Sequence, residues 1–400
     1  MYKQKEIRAP NRDRVLECIF RNPGISRKDT SDLTGITSAT ITAVVGELLR
    51  EGILTELGAM EEDKGTIGRS RIALNICPDY RYAVGVEFNY SSVTGVVCDL
   101  RGKVLYEKLL PHDPEREDIT QVLTDLISDC LESAPVPREK ITAIGVGLPG
   151  HINKTETGFI GSSRYWADFD PQALRERFPL PVVFENNVRC MAVAQGLNHP
   201  QEAPSNFALL HVGRGMHCAH IIDDELFVGT TYGCGEIAHT IAVLDGKRCE
   251  CGKRGCLQTV ITETALLDNG RMLWQSDPNS YLRDLVPTPE DMTLSHMLTA
   301  YELGDPAVCR VLTLALRHLA VAALNVAVLM NPEKIFLHGE LFESRALRQD
   351  FLEEIRRQFE FTGNDYELGT VAYCESTPLD GAIGAAAYGV LNCLIHSDKK

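Results

Sequence analysis

Three cysteines stand within eight residues, Cys249-Glu250-Cys251-Gly252-Lys253-Arg254-Gly255-Cys256. No other stretch constrains the fold as closely. Two glycines inside the run permit a tight chain reversal, so the three sulfurs can meet around one point. Two readings stay open here: ligands of one metal ion, or three reduced thiols in a loop. A disulfide framework is disfavoured. The chain has 13 cysteines, an odd number, and most of the others (Cys18, Cys98, Cys130, Cys309) stand alone in apolar stretches.

At 400 residues the chain is too long for one ordinary core, and two or three domains are expected. Its apolar fraction of 44% and charged fraction of 24% are those of a globular protein, which excludes a disordered chain or a collagen-like fibre. The longest nearly apolar run, Leu319 to Met330, is interrupted by Asn325 and is short of the ~20 residues a membrane helix needs. The N-terminus, Met1-Tyr2-Lys3-Gln4-Lys5-Glu6, lacks the apolar core of a secretory signal. A cytoplasmic location and no membrane partner are therefore expected. The net charge of −15 argues against a chain that coats nucleic acid. Residues 1–28 differ: eight Lys or Arg face three acids. A basic end on an acidic body suits a small nucleic-acid reader joined to a larger sensing domain.

That end carries the pattern of a reader. Val15, Leu16, Ile19 and Phe20 make one helical stripe. Asn22-Pro23-Gly24 breaks the chain, and Ser26 is placed to cap a helix over 27–33. Gly35 marks a turn. Thr37 can cap the next helix, whose Ile41, Val44, Val45, Leu48 and Leu49 form a single face. Strands over Ile53–Leu57 and Ile72–Ile76 flank a loop holding Gly65, Gly68, Arg69 and Arg71. Three helices and a hairpin describe a winged helix-turn-helix over residues 1–77. Double-stranded DNA is the expected partner. Thr37 and Ser38 would open the reading helix, and Ala39, Thr40, Thr42, Ala43 and Gly46 would face the bases. No Arg or Lys precedes Arg50 there, so guanine readout by Arg is not expected. Methyl contacts with thymine and an A·T-rich inverted repeat are. Arg27, Lys28, Arg69 and Arg71 are the candidate phosphate contacts.

From residue 82 the pattern changes to short strands rich in Val and Gly: Tyr82–Phe88, Ser92–Leu100 and Lys103–Leu109, then a helix over about 117–132 and a buried strand at Ile141–Leu148. A similar order restarts at Phe207–Gly213. Two successive units of this kind predict a duplicated, two-lobe α/β body with a ligand cleft. The expected lobes are 78–190 plus 378–400, and 191–377.

Four segments carry a resemblance: Gly145-Val-Gly-Leu-Pro-Gly150, Glu185-Asn-Asn, Gly235-Glu-Ile-Ala-His239, and the cysteine block through Leu257. Together they resemble the ROK family of repressors and sugar kinases, in the branch with a winged helix ahead of an actin-like, sugar-kinase-like body. The resemblance covers nearly the whole chain. It implies that His239 joins Cys249, Cys251 and Cys256 as the ligands of a structural zinc ion, Zn2+.

It also implies a sugar site at Asn186, Asn187, Glu236, His239 and Gln258. Kinases of this family read Glu-Asn-Asp where this chain reads Glu185-Asn186-Asn187, and the Asp is their catalytic base. An amide cannot take a proton from an attacking hydroxyl. A family Glu is replaced by Gln258. The phosphate loops depart too: Glu87-Phe88-Asn89-Tyr90-Ser91 replaces Asp-x-Gly-Gly-Thr, and the others read Gly213-Arg214-Gly215-Met216-His217 and His338-Gly339-Glu340. No catalytic residues are therefore expected. The expectation is a sugar-responsive transcriptional repressor of carbohydrate-utilisation genes, a homodimer or homotetramer. The alternatives are a sugar kinase with an appended DNA module, and a regulator controlled by a protein partner.

Overall fold

The computed structural model describes residues 2–59, 71–89, 92–113, 117–152, 159–160, 166, 169–230, 233–359 and 371–396. Two compact units emerge. One runs to Glu202 and resumes at Leu379; the other spans Ala203–Pro378.

The first unit opens with α1 (Tyr2–Arg21), α2 (Arg27–Thr34) and α3 (Ser38–Arg50), followed by β1 (Leu54–Ala59) and β2 (Ile72–Ile76) as an antiparallel hairpin. Capping follows the sequence. Ser26 Oγ accepts from Asp29 N at 3.2 Å, Thr37 Oγ1 from Thr40 N at 3.4 Å, and Gly35 closes α2 at φ +66°. Val15, Leu16, Ile19 and Phe20 meet Ile41, Val44, Val45 and Leu48 in a closed core, while Leu49 is only half-buried. The first helix begins at Tyr2, more than three turns before Val15, the first residue of its apolar stripe.

The body of this unit contains β3 (Tyr82–Phe88), β4 (Ser92–Asp99), β5 (Val104–Pro111), α4 (Ile119–Ser133), β6 (Ile141–Leu148), the short pair β7 (His151–Ile152) and β8 (Phe159–Ile160), α5 (Pro171–Arg177), β9 (Val182–Asn186) and α6 (Asn187–Asn198). Its sheet has the order β5-β4-β3-β6-β9, antiparallel across the first three strands and parallel across the last three.

The second unit holds β10 (Phe207–Val212), β11 (Met216–Ile222), β12 (Glu225–Leu226), α7 (Gln258–Ile261), α8 (Glu263–Ser276), α9 (Leu282–Leu285), α10 (Leu294–Glu302), α11 (Pro306–Met330), β13 (Lys334–His338), α12 (Arg345–Phe359) and β14 (Val371–Tyr373). Its sheet order, β12-β11-β10-β13-β14, repeats the first sheet strand for strand and in direction. The duplication expected from the strand pattern is therefore present.

The chain then returns to the first unit as α13 (Asp380–Val390), continued by a turn to Ile395. This helix packs closely on the first sheet where glycines meet it: a Cβ on Gly145 would overlap the carbonyl of Ala385. The lobe boundary expected at 190/191 falls inside α6. That helix packs on α13, so the first unit extends to Glu202. The winged helix clusters with the first lobe as one unit.

α11 is long and apolar enough to cross a membrane by composition, yet half of its most apolar window is buried. It serves as the core helix of the second unit, where Leu312, Leu316, Leu319 and Ala323 are covered.

Candidate functional site

The reading surface is built by caps and a stripe. With Ile41, Val44, Val45 and Leu48 turned inward, α3 leaves Thr37, Ser38, Ala39, Thr42 and Ala43 exposed and Thr40 and Gly46 half-exposed. Its hydroxyls are partly engaged: Thr42 Oγ1 donates to Ser38 O at 2.8 Å, and Thr40 Oγ1 lies 3.0 Å from Thr37 Oγ1. What points outward is mainly methyl groups and hydroxyl lone pairs.

The basic residues expected around α3 are placed differently from one another. Lys28 is exposed. Arg27 pairs with Glu56 at 2.8 Å, and Arg71 with Asp29 at 2.9 Å. Exposed pairs of this kind are worth at most about 1 kcal/mol, so a phosphate can displace the carboxylate. Arg69, with Gly65 and Gly68, lies outside the described residues.

In the first unit, β9 delivers Glu185-Asn186-Asn187 to the start of α6. Glu185 is buried; its Oε1 accepts from Asn186 N at 2.7 Å and from Arg189 Nη1 at 3.2 Å. Asn186, expected to bind sugar, works as the N-cap of α6. Its Oδ1 accepts from Val188 N at 3.0 Å and Arg189 N at 3.2 Å, and its Nδ2 donates to Gly150 O at 3.3 Å. The residue is 4% exposed, and a single N–H of its amide remains for a ligand.

Asn187, at the kinase base position, donates from Nδ2 to Glu87 Oε1 at 2.8 Å. Glu87 is buried on β3. The pairing explains the amide: an Asp at 187 would set two carboxylates against each other in a covered site. The glycine-poor loop after β3 runs through Asn89; Tyr90 and Ser91 lie outside the described residues.

In the second unit, His239 Nδ1 lies 3.6 Å from Cys249 Sγ, and Cys251 Sγ lies 3.6 Å from Cys256 Sγ. The four donor atoms fall within 4.8 Å of one another. Tetrahedral zinc with Zn–S of about 2.3 Å places neighbouring donors about 3.5–3.8 Å apart, so the set fits the ion. Burial pushes the Cys249 thiol up to about 12, and a cation is what would offset the cost of its thiolate.

With Nδ1 turned to the sulfurs, His239 Nε2 faces Glu236 Oε2 at 3.9 Å, while Glu236 Oε1 lies 3.6 Å from Nδ1 of the buried His217. Gly235 makes this approach possible. Its φ is +93°, and a Cβ there would strike the His217 ring. Glu236 keeps 38% of its side chain exposed, open to a ligand hydroxyl. Gln258 is half-buried and donates to Glu250 Oε1 at 3.1 Å, so its amide is held by the cysteine loop itself. Sequence reasoning missed His217, which it treated only as the end of a phosphate loop.

The second unit's remaining loops are poor phosphate cradles. His211 Nδ1 and His338 Nδ1 lie 2.9 Å apart at the ends of β10 and β13. The Glu340 carboxyl is pushed up by burial and by the neighbouring Glu263 and Glu343 carboxylates. An anion meets acids there rather than glycine N–H groups.

Comparison with known proteins agrees with this anatomy. Residues 83–389 match the ROK family, and residues 10–55 match a winged helix-turn-helix DNA-binding family. Among curated relatives, the xylose repressor of Bacillus subtilis (strain 168) is 23% identical over 94% of this chain and 95% of its own. The DNA-binding transcriptional dual regulator NagC of Escherichia coli (strain K12) is 26% identical over 84% and 82%. A ROK family transcriptional regulator described as a homologue of the E. coli MLC protein superposes at TM-score 0.77 with 23% identity, covering 98% of both chains. A ROK glucokinase from Streptomyces griseus, solved with glucose and AMPPNP, superposes at TM-score 0.65 with 21% identity. It covers 77% of this chain and 99% of its own.

Proposed function

The chain belongs to the ROK family, and from that premise we propose that it is a sugar-responsive transcriptional repressor of carbohydrate-utilisation genes whose kinase-like body is catalytically inactive. One observation carries the reading: at the position of the family's base stands Asn187, its N–H committed to a buried carboxylate. A general base must accept a proton from the attacking hydroxyl, and this amide is a donor held in place by Glu87. The repressor names of the curated relatives and the winged helix-turn-helix over residues 10–55 support the same conclusion.

Sugar hydroxyls are the ligands assigned to Glu236 and His239 of the second unit; the Asn187 amide of the first unit is, by itself, a further hydroxyl-binding candidate. A carboxylate accepting from paired hydroxyls makes strong charge-assisted bonds. Zinc held by His239, Cys249, Cys251 and Cys256 would fix the imidazole so that Nε2 points at Glu236 and the ligand. Two copies of the reader would bind an A·T-rich inverted repeat in the cytoplasm, as a homodimer or homotetramer. A sugar acts only through its different affinity for the DNA-bound and DNA-free states.

The test pairs calorimetry with operator binding. D-xylose, D-glucose and N-acetylglucosamine are titrated into the protein, and the sugar that binds is added to the protein–operator complex. Glu236→Ala should abolish the sugar response and leave operator affinity within about twofold. A normal sugar response in that variant, or ATP-dependent phosphorylation of any of these sugars by the wild type, would overturn the reading.

A further inference from the structure

We propose that Arg101 and His396 are positioning residues that carry the state of the Glu87–Asn187 pair to the DNA reader, through α6 and α13. The proposal rests on the sugar-responsive reading above and names the route by which that response reaches DNA.

Both helices begin at the same carboxylate. Asn187 is the first residue of α6 and donates to Glu87 Oε1 at 2.8 Å. Gly381 lies in the first turn of α13, and a Cβ there would overlap the Glu87 carboxyl group. The helices then run side by side in the same direction. They touch backbone to backbone, since a Cβ on Gly384 would overlap the carbonyl of Cys190. At that crossing no side chain lies between them to absorb a small displacement. At 1.5 Å per residue, α6 is about 18 Å long and α13 with its terminal turn about 24 Å.

Both also end at the reader. A small cavity is lined by Leu197 and Asn198 from the end of α6, Ala387 and Val390 from α13, and Phe20 from α1. Two side chains of the body grip the reader on either side of this seam. Arg101, from the turn between β4 and β5, stacks on the Phe20 ring at 4.8 Å. It donates to Phe20 O at 2.6 Å and to Asn75 Oδ1 at 2.6 Å, so it holds α1 and β2 together. His396, just past the turn that closes α13, has Nε2 2.8 Å from Glu17 Oε2 on α1. The other Glu17 oxygen accepts from Arg21 at 2.9 Å.

A hydroxyl that competes for the Asn187 amide therefore disturbs a carboxylate on which two rigid elements begin, and both end on the helix against which α3 packs. Packed helices answer such a disturbance by a small shear.

The experiment is a double-mutant cycle read by operator affinity, using the full chain and a DNA fragment selected by the wild type from a random pool. Asn187→Asp sets a second carboxylate against Glu87 and so perturbs the far end without any ligand. It should change operator Kd at least fivefold in the wild-type background and less than twofold in the Arg101→Ala and His396→Ala backgrounds. Equal effects in all three backgrounds, including no effect in any, overturn the proposal. Thermal melts check folding, and Arg101→Lys, which keeps charge but loses the forked donors, replaces Arg101→Ala if that variant unfolds. Calorimetry with the three sugars separates the two ideas. Coupling without sugar binding refutes the effector reading and leaves the relay standing. Sugar binding that shifts operator affinity equally in wild type and Arg101→Ala refutes the relay and leaves the effector reading intact.

Discussion

Replacing Glu17 with Gln tests the junction between reader and body through its charge. The Glu17 carboxylate takes Arg21 Nε at 3.1 Å and Nη2 at 2.9 Å on one oxygen, and His396 Nε2 at 2.8 Å on the other. Burial alone would raise its pKa, but the His396 hydrogen bond and the Arg21 charge overcome this and lower it from 4.5 to about 2. The folded value lies below the unfolded one, so the unfolded chain binds more protons between them. The contribution is full above the unfolded pKa and is lost as pH falls through the folded one. Linkage puts it at about 3 kcal/mol at pH 5 and about 1 kcal/mol at pH 3. At about 2–4 °C per kcal/mol for a unit of this size, Glu17→Gln should melt roughly 6–12 °C lower at pH 5. The gap should close to a few degrees at pH 3. Circular dichroism gives the melt, and in a Trp274→Phe background the fluorescence of Trp166, fully buried in the same unit, follows that unit. A gap that stays constant or widens from pH 5 to pH 3 would refute the electrostatic account, because a lost packing contact has no reason to follow the titration of a carboxyl.

Three further outcomes are expected. Metal analysis should return about one zinc per chain, and Cys251→Ser should lose both the metal and the sugar response as His239 loses its anchor; zinc retained at full occupancy would count against the assigned ligands. Asn187→Asp should not gain kinase activity in a coupled ATP assay, and should destabilise the first unit by about 1–3 kcal/mol at neutral pH through repulsion with Glu87; an unchanged denaturation midpoint would argue against that pairing. Selection from random DNA should return an A·T-rich inverted repeat, with Thr40→Ala costing specificity more than affinity and Arg71→Ala lowering the salt slope by about 0.9. A G·C-rich consensus with strong guanine dependence would refute the reading of α3.

The sequence alone determined whatever depends on local pattern. The caps Ser26 and Thr37, the Gly35 turn and the stripe from Ile41 to Leu48 specify the reader because each is settled within about ten residues by hydrogen bonding and helical period. The repeated strand order specifies the duplicated body, and Cys-x-Cys-x4-Cys specifies a thiol cluster, since close spacing leaves the chain few ways to separate the sulfurs. Boundaries were legible only to within a few residues, and β14, too short to show a period, was not legible at all.

Long-range packing decided the rest. Asn187 looked like a lost base; only the fold showed that it answers a carboxylate 100 positions earlier, because β3 and α6 meet through parallel strands whose register no local pattern encodes. Asn186, a sugar-ligand candidate from the sequence, also caps α6, a role visible only once β9 and α6 are in place. His217, which in the sequence only ends a departed phosphate loop, faces Glu236 because Gly235 lets the two backbones close. The link from the C-terminal helix to the reader joins residues 379 positions apart. Such contacts form only when a core has closed around them, and their partners are chosen by the geometry of that closure rather than by either residue's neighbours in the chain.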